Sequence, residues 1–218
     1  MTLPEITDAL ITWTPYLAAG FGWNMIVSLA AMAIGTAVGL LLTALRAGTV
    51  PGVKQTGSAL TVFARGAPTF VMLFYLAYAV PGTFEVLGVV VTVPAWFKAS
   101  LALAIAVAGY VSDTGLAALR HLRRGETAEA LLFLPSWTSY FLIIVMASAT
   151  ASVIGVPELV HRAETVIGAV GQAGFSFWVY LYAMVWFLAF GALITLSMRA
   201  LRIRLAGRDL GSDVPDSI

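Results

Sequence analysis

Apolar residues run almost unbroken through long stretches of the chain, separated by short polar or turn-forming segments. The first stretch extends from about Ala18 to Leu45, the second from about Thr69 to Val80, and the third from about Trp96 to Val111 with a polar continuation. The fourth covers about Trp137 to Ile154 and the fifth about Phe175 to Leu201. A bilayer core is crossed by roughly 20 apolar residues of helix, so the pattern predicts an all-α integral membrane bundle of about five transmembrane helices. Turn formers at Pro51-Gly52, Pro81-Gly82 and Pro94 punctuate it. The second stretch, between Pro68 and Pro81, is short for a crossing unless the preceding helix extends it or neighbours bury it.

Composition fixes the solvent: with 60% hydrophobic and 11% charged residues and a mean hydropathy of +0.93, the chain has too little polar surface for a soluble domain. It has no cysteine, which excludes disulfides and thiolate chemistry. Glu5 and Asp8 precede any Lys or Arg, the first being Arg46, so the basic start of a signal peptide is missing and the first span is expected to stay in the protein. Basic residues then set the orientation. Alternating spans place Arg46, Lys54, Arg65, Arg120, Arg123, Arg124, Arg199, Arg202, Arg204 and Arg208 on one side and only Lys98 and Arg162 on the other. The positive-inside rule puts the N-terminus outside and the C-terminus in the cytoplasm. The C-terminal arginines read most simply as a stop-transfer and lipid-phosphate anchor.

Small residues mark packing faces. Gly35 and Gly39, with Ala31 a turn earlier, form a GxxxG through which a neighbouring helix can approach closely. Ser148, Thr150 and Ser152 put hydroxyls on the fourth span, where they can line a polar route or bond carbonyls of their own helix. Chemistry is scarce. The two histidines, His121 and His161, fall on opposite sides of the membrane with no second ligand at metal spacing, and no phosphate loop or nucleophile elbow is present. The spans carry no acids for a proton relay. Neither a cofactor nor a metal, nor a nucleic-acid partner, is expected, and energy for active transport must come from another chain.

The polar island from Val111 to Pro135 is where another protein would grip the bundle. It holds Asp113, then Arg120, His121, Arg123 and Arg124, then Gly125-Glu126-Thr127-Ala128-Glu129-Ala130. The bland alternative is a solvated, positive-inside loop without a partner.

Four blocks carry a family resemblance. Tyr16, Gly20, Asn24, Ser28-Leu29 and Gly39 form the first, and Phe63-Ala64-Arg65-Gly66-Ala67-Pro68 followed by Leu73-Phe74-Tyr75 forms the second. Gly109-Tyr110-Val111-Ser112-Asp113 with Gly125-Glu126-Thr127 is the third, and Ser152-Val153-Ile154-Gly155-Val156-Pro157-Glu158-Leu159 the fourth. In order and spacing, over about residues 16 to 204, the chain resembles the membrane permease subunits of ATP-binding-cassette importers of the polar amino-acid type. The resemblance implies a multi-pass protein of the bacterial cytoplasmic (inner) membrane. It implies an ATPase subunit, a second permease (the same or a homologue), an extracytoplasmic solute-binding protein and the lipid bilayer itself as partners. It assigns residues 1–16 to an outer segment, 17–204 to the permease domain with its coupling region at about 112–135, and 205–218 to a cytoplasmic tail. ATPase coupling would fall to Asp113, Arg120, Arg123, Arg124, Gly125, Glu126, Glu129 and Ala130, and the translocation path to Asn24, Ser28, Ser148, Thr150 and Ser152. Outer-loop docking would use Glu158, His161, Arg162 and Glu164.

The coupling block departs from the family pattern. Ala128-Glu129-Ala130 scrambles the Glu-Ala-Ala triplet, Leu134-Pro135 follows within a few residues, and the Arg expected near Leu116 is absent. The loop therefore reads as a shortened version of the usual element. Two other readings stay open: a permease paralogue that pairs with a typical permease without coupling to ATP, and an ATP-independent channel or carrier.

Overall fold

The computed structural model describes residues 1–86 and 88–209. Helix α1, Leu3–Ala47, is 45 residues long, about 67 Å at 1.5 Å per residue, roughly twice a bilayer core. It runs on through the boundary expected at residue 16. Its N-terminus is held by a capping box between Thr2 and Glu5. Helix α2, Pro51–Gly66, starts on a proline whose missing N–H costs nothing in a first turn. Helix α3, Thr69–Ala79, follows at an angle of 96°. Pro68 lies at that break, where it cannot donate to the ladder.

A two-stranded antiparallel hairpin, β1 (Thr83–Val86) and β2 (Val89–Thr92), joins α3 to α4. It is an addition to the all-helical expectation, made by Val89, Val90, Val91 and Thr92, a β-branched run that is too short to cross a membrane. Helix α4, Ala95–Arg123, carries the third span and its polar continuation as one rod. Helix α5, Thr127–Leu131, is a single turn. Helix α6, Phe133–Ala147, continues as a 3-10 segment over Ser148–Ile154, which ends at Gly155 with a left-handed φ of 82°. Helices α7, Leu159–Val170, and α8, Phe175–Asp209, complete the described residues.

Helix directions show how the candidate spans run relative to one another. A Cβ placed on Gly35 would lie 2.4 Å from that of Val107, and one on Gly39 would lie 2.6 Å from that of Val111. Further along, Gly115 meets Thr43 at 2.8 Å. Rising numbers meet rising numbers, so α1 and α4 are parallel, packed backbone to backbone through the GxxxG stripe. The broken pair α2–α3 must therefore carry the chain back across. This explains the short second stretch: the crossing is assembled from two helices. In contrast, α6 is antiparallel to α1, with Ser28 bonded to Ile144 and Trp137 to Thr36. Helix α8 is parallel to α1, since Thr14 meets Tyr182 and Phe21 meets Phe190. Among the described residues four helices are long and apolar enough to span, and the bent pair taken as one span makes five.

The core has two parts. One gathers Val27, Met32, Leu73, Leu103, Val107 and Ile144 where α1, α3, α4 and α6 meet. The other gathers Ile6, Leu17, Leu159, Val166 and Phe175 where the first half of α1 meets α7 and α8.

Candidate functional site

The polar island folds into a helix end, a turn and a one-turn helix. Arg124 caps α4, Gly125 takes a φ of 79° that a side chain would oppose, and α5 follows at once. Arg120, Arg123, Arg124 and Glu129 are exposed, while Ala130 is buried. Glu126, half-buried, turns back so that its Oε2 lies 2.6 Å from His121 Nδ1, pinning the turn. Leu122, Leu131, Leu132 and Leu134 stand out of the same segment at 53–63% exposure. Basic side chains thus surround apolar ones, a composition suited to a partner surface rather than to water alone.

Asp113 lies apart from this segment, ten residues before the end of α4. Its Oδ1 accepts from Arg46 Nη1 at 2.7 Å and its Oδ2 from Arg65 Nη1 at 2.5 Å. Arg46 also donates to Ser112 Oγ at 2.9 Å, and Ser112 Oγ lies 2.8 Å from Thr61 Oγ1. Thr43 Oγ1 reaches the Ser112 carbonyl at 3.3 Å. These bonds knot the ends of α1 and α2 to α4. Arg65 closes over Gly109, where a Cβ would sit 2.8 Å from the arginine's Cγ.

Beside this knot a cavity of about 450 Å³ opens between the α2–α3 bend, α4 and α6. Arg65, Thr69, Tyr110, Asp113, Thr114 and Tyr140 line it. The Tyr110 and Tyr140 rings stack in parallel with centroids 3.8 Å apart.

A second knot lies near the other end of the bundle. Asn24 Nδ2 donates to Ser148 Oγ at 2.9 Å and to Glu158 Oε2 at 3.0 Å, while its Oδ1 accepts from the Leu159 N–H at 3.1 Å. Glu158 also accepts from the Val160 and His161 N–H groups at 3.0 and 2.9 Å, so it caps α7. Asn24, Ser148 and Glu158 are wholly buried. Burial pushes the Glu158 carboxyl above its ordinary value of 4.5, against the pull of the Val160 N–H, the Asn24 amide and the His161 N–H and charge.

Of the residues expected on the path, Asn24 and Ser148 therefore meet each other inside the protein. Ser28, also buried, bonds the Ile144 carbonyl at 3.4 Å. Thr150 and Ser152 are half-buried and donate to carbonyls of their own turn, Ala147 and Ala149. Of the four outer charges, Glu158 is buried and Arg162 spans the Pro157 and Tyr16 carbonyls and stacks on the Tyr16 ring, leaving His161 and Glu164 toward solvent. The roles of Arg46, Thr61 and Ser112 had no sequence signal beyond their polarity in apolar surroundings. Arg65 stood out as a loop basic residue and within the second family block, but nothing in the sequence places it against Asp113.

No family model matches the chain. Among curated proteins it is similar to a probable amino-acid ABC transporter permease, YckA of Bacillus subtilis (strain 168). That pair is 25% identical over 182 residues, 74% of this chain and 78% of that protein. The probable glutamine ABC transporter permease GlnP of the same organism is 23% identical over 203 residues, 87% of this chain and 93% of the relative. PatM of Vibrio harveyi, a probable amino-acid ABC transporter permease, is 24% identical over 170 residues, covering 69% and 75%. A chain in a crystal structure of an amino acid ABC transporter with histidines superposes with a TM-score of 0.72 at 21% identity, over 92% of this chain and all of that one. The two chains share a fold.

Proposed function

We propose that this chain, a relative of amino-acid ABC transporter permeases, is the membrane-spanning permease subunit of an ATP-driven importer for an amino acid or related polar solute. The observation that carries this reading is alignment over 87% of the chain with 93% of one such permease. The protein makes no covalent bond; its work is to hold a route open to one side of the membrane at a time.

The end of the bundle that carries Arg46, Arg120, Arg123 and Arg124 faces the cytoplasm of a bacterial inner membrane in this reading. There the segment from Asp113 to Ala130 engages an ATPase subunit. Arg120, Arg123, Arg124 and Glu129 supply exposed charge, Leu122 and Leu131 apolar contact, and Gly125, Glu126 and Ala130 the shape of the turn. Asp113 acts from behind, fixing α4 to α1 and α2 so that a push on α5 moves the bundle as a body. A second permease, identical or homologous, completes the route. Thr150 and Ser152 face it, and Asn24, Ser28 and Ser148 brace its wall. A solute-binding protein docks at the opposite end, near His161 and Glu164.

Co-purification with the ATPase and ATP-dependent uptake into proteoliposomes test the reading. Charge reversal at Glu126 and Glu129 together should lower recovery of the ATPase several-fold. Uptake that proceeds without ATP would replace the importer with a channel or carrier, and assembly without any transport would favour a non-coupling paralogue.

A further inference from the structure

We propose that the groove between α6 and α8 binds one anionic glycerophospholipid of the inner leaflet, with Arg199 on its phosphate and an acyl chain in the channel above. The inference needs only the bundle lying in a bilayer, so it stands or falls apart from the importer reading.

Two cavities line up along this groove. One, of about 220 Å³, lies between Thr138 and Ser139 on α6 and Met198 and Arg199 on α8. The other, of about 110 Å³, lies between Val145 and Met146 on α6 and Phe187 and Phe190 on α8. Leu142 and Thr195 line both, so the two form one channel. From Arg199 to Phe187 helix α8 rises about 18 Å at 1.5 Å per residue, close to the roughly 15 Å of hydrocarbon in one leaflet.

Charge sits at one end only. Arg199 is the single charged residue among those lining the two cavities, and no acid accompanies it there. In the orientation proposed above that end lies at the cytoplasmic surface, where a basic pocket between transmembrane helices attracts anionic headgroups. A guanidinium can hold a phosphate through two parallel bonds. Thr138, Ser139 and Thr195 donate to the Leu134, Pro135 and Gly191 carbonyls of their own helices, which leaves their oxygens as acceptors. Acceptors beside a cation suit the glycerol hydroxyls of phosphatidylglycerol and have nothing to take from a choline.

Gly191 keeps the channel open at the tail end. It lines the deeper cavity, and a Cβ added there would meet nothing within 4 Å. Glycine in a helix interior lowers stability relative to alanine, and here its missing side chain leaves room for a chain of methylenes. A second copy of the bundle fits less well, because its described side chains bring no anion to this depth: Asp113 is shared by Arg46 and Arg65, and Glu158 is buried beneath Asn24.

The test is native mass spectrometry of the full-length chain titrated with phosphatidylglycerol, with phosphatidylcholine of the same acyl chains, and with glycerol phosphate. The first phosphatidylglycerol should bind about tenfold more tightly than phosphatidylcholine, and Arg199→Gln should erase that difference. Arg199→Lys, which keeps the charge and guards against a folding artefact, should cost only about threefold. Gly191→Leu should weaken both lipids about fivefold by filling the channel, with the melting point kept. Lys54→Gln, which removes an exposed basic residue of α2, should change nothing. Equal affinity for the two lipids, or a loss in Lys54→Gln as large as in Arg199→Gln, would reduce the site to diffuse attraction and overturn it. Glycerol phosphate bound as tightly as the lipid would make it a soluble-phosphate site instead. Unchanged lipid binding in Gly191→Leu, or loss of permease pairing in that variant, would remove the acyl channel and overturn the proposal as well.

Discussion

Two polar knots tie the same helix, α1, to the rest of the bundle, and they are built on opposite principles. The outer one, Asn24 with Ser148 and Glu158, is wholly buried, and its single ionisable group is met by three N–H donors. The inner one, Arg46 and Arg65 with Asp113, is made of charges, with Asp113 30% and Arg65 65% exposed, and it opens onto a cavity. A buried network that is fully satisfied specifies structure; a charged one open to water is screened and adds less to stability. Location in sequence hides this difference, because Asn24 and Ser148 look like path residues while Arg65 looks like a loop anchor.

Substitutions separate the two by what they change. Glu158→Ala should have the largest effect on stability, about 3 kcal/mol, since it removes the α7 cap and strips a partner from a buried amide; thermal melting of the purified permease reads it. If the melting point stays put, the outer knot is not structural. Asn24→Ala follows at about 2 kcal/mol, with Glu158 and the Leu159 N–H both losing a bond. Asp113→Asn should cost only about 1 kcal/mol, because exposure screens the ion pairs, yet it should lower ATP-driven uptake more than either outer variant does. A stability loss larger than that of Glu158→Ala would invert the comparison.

The smallest effect is a pH dependence. The folded carboxyl of Glu158 binds its proton more readily than the unfolded one. Its contribution to stability is therefore fully present below the ordinary value of 4.5 and is lost as pH rises through the folded value. The melting point of the wild type, taken relative to Glu158→Gln, should decline as pH rises through the folded value. A difference that is flat with pH would mean the carboxyl titrates alike folded and unfolded.

The crossings were legible because lipid enforces them: a backbone in hydrocarbon must satisfy itself within a helix, so the apolar runs at Ala18–Leu45, Trp96–Val111, Trp137–Ile154 and Phe175–Leu201 mapped onto helices. The Gly35 and Gly39 stripe was legible for the same reason, since only small residues allow the approach seen against Val107 and Val111. What stayed hidden depends on contacts distant in sequence. Nothing local tells Glu158 from an outer-loop docking charge until Asn24, 134 residues earlier, is seen to cover it. The same holds for Arg65 and Asp113, 48 residues apart. Helix α7 was missed because only one of its faces is apolar, and the hairpin because its apolar run is brief.

The 3-10 segment at the outer end of the fourth crossing stores length. Its seven residues, Ser148–Ile154, rise about 2.0 Å each where an α-helix would rise about 1.5 Å. Winding them into α-helix would draw Gly155 and the cap of α7 inward by about 3.5 Å without stretching a single bond. A span with that much slack can change its reach while its far end keeps its footing, as a joint with travel does and a rigid strut does not.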